Sequence, residues 1–222
     1  MTRLIDMIHQ SNPADVAPHL RRLADTCAQL ASQIRERIDR SDRTVAYANF
    51  CSYAASELRR ASTFYPEDLA GLAWAARNLF ELYLIVRSVI QSDENFRAWL
   101  GQRIGDEKDF IEGVLMYVQA GECAPQVATL KARRDRLLEL SKRHDIPSAK
   151  PFRIQALAKA LGEEDEYVAL FKLFSKYVHP SSLLINAYSL SPPDPTYLKI
   201  FHIKAQMYAG QTIKLIKDAV AG

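Results

Sequence analysis

The sequence predicts an all-α protein, a multi-helix bundle of about seven to nine helices. Two observations carry this. No run of alternating Val, Ile and Thr is bounded by turn residues, and no Asn-Gly or Asp-Gly pair marks a hairpin. Helix starts and stops, by contrast, punctuate the whole chain as prolines, glycines and capping residues.

Asn12-Pro13 places a capping residue before a first-turn proline, and a helix follows over residues 14–40. Leu20, Leu23, Cys27, Leu30, Ile34 and Ile38 recur at steps of three and four, the spacing of one helix face. Pro18 is early enough to be tolerated or delays the start. Ser41 or Asp42 caps a second helix reaching residue 63, with Tyr47, Phe50, Cys51, Ala54, Leu58 and Ala61 as its stripe. Tyr65-Pro66 breaks the chain. A third helix over 66–91 opens on Pro66, with Glu67 and Asp68 in its first turn, and is apolar almost all round. Such a helix belongs in the middle of a bundle.

A fourth region begins near Asp93. Gly105-Asp106 is expected to split it in two, and Gly121 to end the second piece. Helix resumes over 125–144 with a basic face, and the proline-marked loop 146–151 is the candidate internal boundary of an otherwise single domain, 1–222. A short helix over 152–161 stops at Gly162. The next, 163–178, opens on four acidic residues and packs Tyr167, Val168, Leu170, Phe171, Phe174 and Tyr177. Pro180 closes it, because the residue before a proline is pushed out of the α region. After the Pro192-Pro193-Asp194-Pro195 turn a last helix reaches residue 219. No repeat of solenoid length is visible.

The chain has 222 residues, 48% apolar and 25% charged, enough to bury a core without metals or disulfides. A net charge of +3 is too mild to imply nucleic acid by itself. Cys27, Cys51 and Cys123 are widely spaced and odd in number, which argues against a disulfide framework or a zinc site; lying in apolar helical stretches, they read as small core residues suited to a reducing cytoplasm. The N-terminus lacks the pattern of a signal peptide. The apolar stretch 69–90 has the length of a membrane span but holds Arg77, Glu81 and Arg87, and the expectation is a buried core helix and no membrane.

Two places carry chemistry. Arg77 and Glu81 are four apart on one face of the third helix. Charges in an apolar segment need partners, so the two form either a structural ion pair or a recessed polar pocket for an anion, unless they are simply exposed. His179 sits where its helix must stop, facing unpaired carbonyls. It either caps that end, with Ser181 capping the next turn, or transfers a proton near neutral pH. His9, His19, His144 and His202 form no metal-ligand spacing, and glycine-rich phosphate loops and nucleophile elbows are absent. No cofactor or metal is expected. Lys131, Arg133, Arg134, Arg136, Lys142, Arg143, Lys150 and Arg153 form a basic stretch that suits a phosphate backbone or a solvated face.

Arg77-x-x-x-Glu81, followed much later by Tyr177-x-His179-Pro180-Ser181, resembles a family of uncharacterised bacterial all-helical proteins similar to HEPN domains. The resemblance covers about residues 45–215. HEPN domains are helical bundles that often dimerise; many are ribonucleases of toxin or phage-defence systems and others are non-catalytic. The resemblance implies a pocket of Arg77, Glu81 and His179, with Lys176, Tyr83 and Ser181 nearby as ligand-binding residues. It implies RNA or another anionic ligand, and a homo-oligomer. Metal-independent phosphodiester cleavage and a non-catalytic dimeric interaction module are its two functional versions. Catalytic HEPN domains carry an arginine four to six residues before the histidine. Here that window, around Lys172, Leu173 and Phe174, has none. Arg3 and His9 have the interval, but with Leu4 in place of the polar residue. Arg77 is the arginine left to fill the role in space.

Overall fold

The structure, a computed structural model, describes residues 8–9, 12–37, 40–118, 123–187 and 193–221. Ile38, Gly121, Pro192 and Arg3 lie outside the described residues. Among the described residues there are nine helices and no strand. They are α1 (Pro13–Arg35), α2 (Asp42–Phe64), α3 (Leu69–Gln91), α4 (Asp93–Tyr117), α5 (Ala124–Arg143), α6 (Ile154–Ala160), α7 (Glu164–Val178), α8 (Ser182–Ala187) and α9 (Pro195–Ala221). The chain divides into two compact units, residues 1–87 with 158–222, and residues 88–157.

In the first unit the helix ends follow local chemistry. Asn12 accepts from the Ala14 N–H and caps α1, and Pro18 lies inside that helix. Ser41 and Thr44 form a reciprocal capping box on α2. Asp68, expected inside the first turn of α3, instead precedes it, and its Oδ1 accepts from the Gly71 N–H at 2.8 Å. The helix therefore opens on Leu69 rather than on Pro66, because the aspartate satisfies the first unpaired donors. Helices α1 and α2 run antiparallel. Arg35 bonds Ser52, Arg59 bonds Asp25 and Arg21 bonds Ser62, so residue numbers rise along one helix as they fall along the other.

The predicted stripes of α1 and α2 are buried, Ile38 aside. Helix α3 is the most deeply buried: Leu72, Ala73, Ala75, Ala76, Leu79, Phe80 and Leu84 have no exposed surface. It is long and apolar enough to cross a membrane by length and composition, yet 56% of its apolar window is buried within the protein. Phe80 meets Tyr208 of α9, and Phe174 of α7 meets Phe201 of α9. Within α7, Leu170, Phe174 and Tyr177 are buried, whereas Val168, expected to pack, is exposed. Helix α8 was not legible as a helix; Ser181 caps it, its Oγ accepting from the Leu184 N–H.

His202 of α9 is buried beside Tyr65, and Gln206 Nε2 lies 2.9 Å from its Nδ1. Burial pushes its pKa down to about 4, and the neighbouring His9 and Lys199 add to the effect. The folded protein thus holds a neutral imidazole where the unfolded chain binds a proton below about 6.5.

In the second unit α4 and α5 are antiparallel, joined by an ion pair from Glu107 to Arg133, with a second from Arg97 to Asp145 just past α5. Helix α4 is continuous through Gly105, which corrects the expected split at Gly105-Asp106. The two glycines of α4 serve close approach instead. A Cβ on Gly105 would lie 2.6 Å from the Ala149 carbonyl oxygen, and one on Gly101 would collide with the Pro147 carbonyl. The Ala149 N–H donates to the Gly101 carbonyl at 3.0 Å, so loop 146–151 lies along α4. Helix α5 has no buried residue. Cys123, expected in the core with Cys27 and Cys51, is exposed at the start of α5 in left-handed backbone; the other two are buried.

Two measurements check this packing. Gly105→Ala is expected to destabilise the protein by about 1–3 kcal/mol in a denaturant melt, although alanine is the better helix former. Between pH 6.5 and 4, stability is expected to fall by up to about 1.4 kcal/mol per pH unit through His202, and His202→Gln to remove that part of the slope.

Candidate functional site

Arg77 stands at mid-length of α3, and its neighbours come from two helices. Its Nε donates to Glu81 Oε1 at 2.9 Å, the bond that four-residue spacing on a helix allows. Its Nη1 lies 3.4 Å from Nε2 of His179, which is 102 residues away in sequence. Its guanidinium carbon sits 4.5 Å from the ring centroid of Phe171 on α7, a cation–π contact that fixes the plane of the fork. The Arg77 and Glu81 side chains are 18% and 27% exposed, and His179 is exposed, so the constellation opens to solvent.

His179 ends α7 in extended backbone, as Pro180 requires, and its N–H still donates to the Ser175 carbonyl. An anion placed between Arg77 and His179 gives both a charge-assisted partner.

The other expected residues divide. Lys176 lies one turn before His179, exposed and without an ion pair among the described residues. Ser181 follows two residues after it, but its hydroxyl is committed, donating to the Lys176 carbonyl at 2.6 Å and accepting from Leu184. Tyr83 is not part of the constellation. Its hydroxyl donates to Glu163 Oε1 at 2.9 Å, and Arg87 reaches both groups. Burial and the Glu163 bond raise its pKa. Glu166, in the first turn of α7, takes the Tyr208 hydroxyl at 2.5 Å and Lys204 Nζ at 2.6 Å. These two clusters tie α7 to α3 and α9.

The structure adds residues that the sequence reading missed. Glu57 of α2 is fully buried, and its carboxylate is shared out: Oε1 accepts from Arg60 and Oε2 from Asn78 Nδ2 at 3.2 Å. Burial, followed by the charges of Glu57 and Glu81, pushes the pKa of Tyr53 on the same helix up to about 12. Asn78 follows Arg77 in the chain, so Glu57 braces the same turn of α3. One signal was available: Glu57 lies three after Ala54 and four before Ala61, within the buried face of α2. No group of three or more His, Cys, Asp and Glu side chains among the described residues is placed to hold a metal ion.

Removing one member of the Arg77–Glu81 pair strands the other. Arg77→Ala is therefore expected to cost more stability than Arg77→Leu combined with Glu81→Leu, by about 1 kcal/mol or more in a thermal or urea melt.

No curated protein and no solved structure matches the chain. Residues 67–195, which hold Arg77, Glu81, Phe171 and His179 and make up more than half of the chain, match a family of unknown function, DUF5677. The chain belongs to the DUF5677 family.

Proposed function

We propose that this is a HEPN-like protein that binds a phosphate-bearing ligand, RNA foremost, at Arg77, Glu81 and His179. The observation that carries this reading is that Arg77 touches both Glu81 and His179 while all three keep solvent access. Arg77 holds a phosphate oxygen with its fork, Glu81 orients Arg77, and His179 transfers a proton. Lys176 adds positive charge at the same helix end.

The chemistry that fits is metal-independent phosphodiester cleavage. The ribose 2′-oxygen attacks the adjacent phosphorus as His179 takes the hydroxyl proton. The bond to the 5′-oxygen breaks, and solvent protonates that oxygen. Arg77 stabilises the charge that gathers on phosphorus-bound oxygen. Arg77 here fills the place of the arginine that catalytic HEPN domains carry just ahead of their histidine.

In an RNA-cleavage assay with chelator present, His179→Ala is expected to slow cleavage by about 100-fold or more. Equal rates for wild type and variant sink the catalytic role. Arg77→Ala is expected to weaken phosphate or RNA binding, read by calorimetry.

A second reading, a non-catalytic helical interaction module that pairs with a second copy, is favoured by one observation: Phe110, Met116 and Tyr117 of α4 are exposed. Phe110→Ser with Tyr117→Ser is expected to shift the oligomer to monomer in sedimentation if that reading holds.

A further inference from the structure

Beyond the phosphate site, the surface formed by α2 and α3 carries an arrangement with its own ligand chemistry. Trp74 is one turn ahead of Arg77 and Asn78 on α3 and is 39% exposed, unusual for a large apolar ring on the most deeply buried helix. The Arg60 guanidinium stands 5.2 Å from its ring centroid. Arg60 is held in turn by the buried Glu57, which also holds Asn78. Tyr53, 44% exposed, lies one turn ahead of Glu57 on α2. One buried carboxylate thus holds the cation that stands over Trp74 and braces the turn of α3 that carries Arg77.

We infer that Trp74 and Arg60 form a stacking subsite for an unpaired nucleobase, next to the phosphate site at Arg77 and His179. The inference rests on the phosphate reading above and adds to it the class of ligand: a single strand rather than a duplex or a bare anion. Aromatic faces accept any base, because every base has a π-face, and an arginine beside the ring adds cation–π attraction and a phosphate contact. Bases within a duplex are stacked on one another and have no face to offer. Alternation of rings with cations is what the basic stretch of α5 lacks and what this surface has. Arg60 shares the Glu57 carboxylate with Asn78, and the Arg60 side chain remains 45% exposed for a phosphate.

The chain has two tryptophans, Trp74 and Trp99, so Trp99→Phe leaves Trp74 as the reporter. The Trp99→Phe protein is titrated with a short single-stranded oligoribonucleotide, with the same strand annealed to its complement, and with an abasic ribose-phosphate oligomer of equal length. His179→Ala in the same background keeps the strand intact. The expected result is quenching of Trp74 by the single strand alone, with at least about fivefold tighter binding than the other two ligands. Trp74→Leu, read by calorimetry, is expected to bring the single strand to the affinity of the abasic oligomer, and Trp74→Tyr to restore part of the difference. Equal binding of all three ligands, lost on Arg77→Ala, overturns the stacking subsite and leaves the phosphate site standing. Failure of all three to bind overturns both. Should Trp74→Leu not fold, unquenched Trp74 fluorescence at saturating single strand still overturns the subsite.

Discussion

Helix α3 can be buried only if each polar side chain on it is met by a partner. Much of the first unit follows from that constraint. Arg77 is met by Glu81 on its own helix and by His179 and Phe171 from α7. Asn78 is met by Glu57 of α2. Tyr83 and Arg87 are met by Glu163 at the start of α7. A charge left alone in such surroundings costs several kcal/mol, so these contacts are conditions of the packing rather than additions to it. They also choose the register of the neighbours, since apolar side chains tolerate a shift that a hydrogen bond does not.

The acidic start of α7 shows the same logic from the other side. Glu163 and Glu166 favour a helix N-terminus on dipole grounds alone. In the structure they reach different neighbours, Glu163 toward α3 and Glu166 toward Tyr208 and Lys204 of α9. Burial and these carboxylates hold the Tyr208 hydroxyl well above the ordinary tyrosine range, so it acts as a permanent donor. Helix α7 is thereby pinned at its first turn by polar bonds and along its length by Leu170, Phe174 and Tyr177.

Legibility in the sequence followed the range of the forces involved. Caps, proline starts and apolar stripes act within a turn or two, and α1, α2, α5, α7 and α9 were readable from them. Gly105 was misread as a break because glycine has two uses, and only the approach of the Ala149 carbonyl shows which one applies. Cys123 was misplaced because it was read as part of an apolar helical stretch, whereas it precedes a helix with no buried residue. Within the candidate site, the Arg77–Glu81 bond was readable from four-residue spacing. Its meeting with His179 spans 102 residues and depends on how α7 lies against α3, which no local pattern encodes. Glu57 was overlooked because an acidic residue is ordinarily a surface residue; its position within the apolar stripe was the better guide.

The constellation at Arg77 is assembled from two halves of different origin. The Arg77–Glu81 half is built into one helix and survives wherever α3 is helical. The His179 half exists only while α7 keeps its seat. Sliding α7 by a single residue's rise, about 1.5 Å, in the sense that carries His179 away from Arg77 would open the gap beyond a hydrogen bond and leave Arg77 on Glu81 undisturbed. The imidazole–guanidinium spacing is therefore a gauge of α7 seating. It ties the assembly of the site to the packing of α7, Phe174 against Phe201, as well as to the helicity of α3.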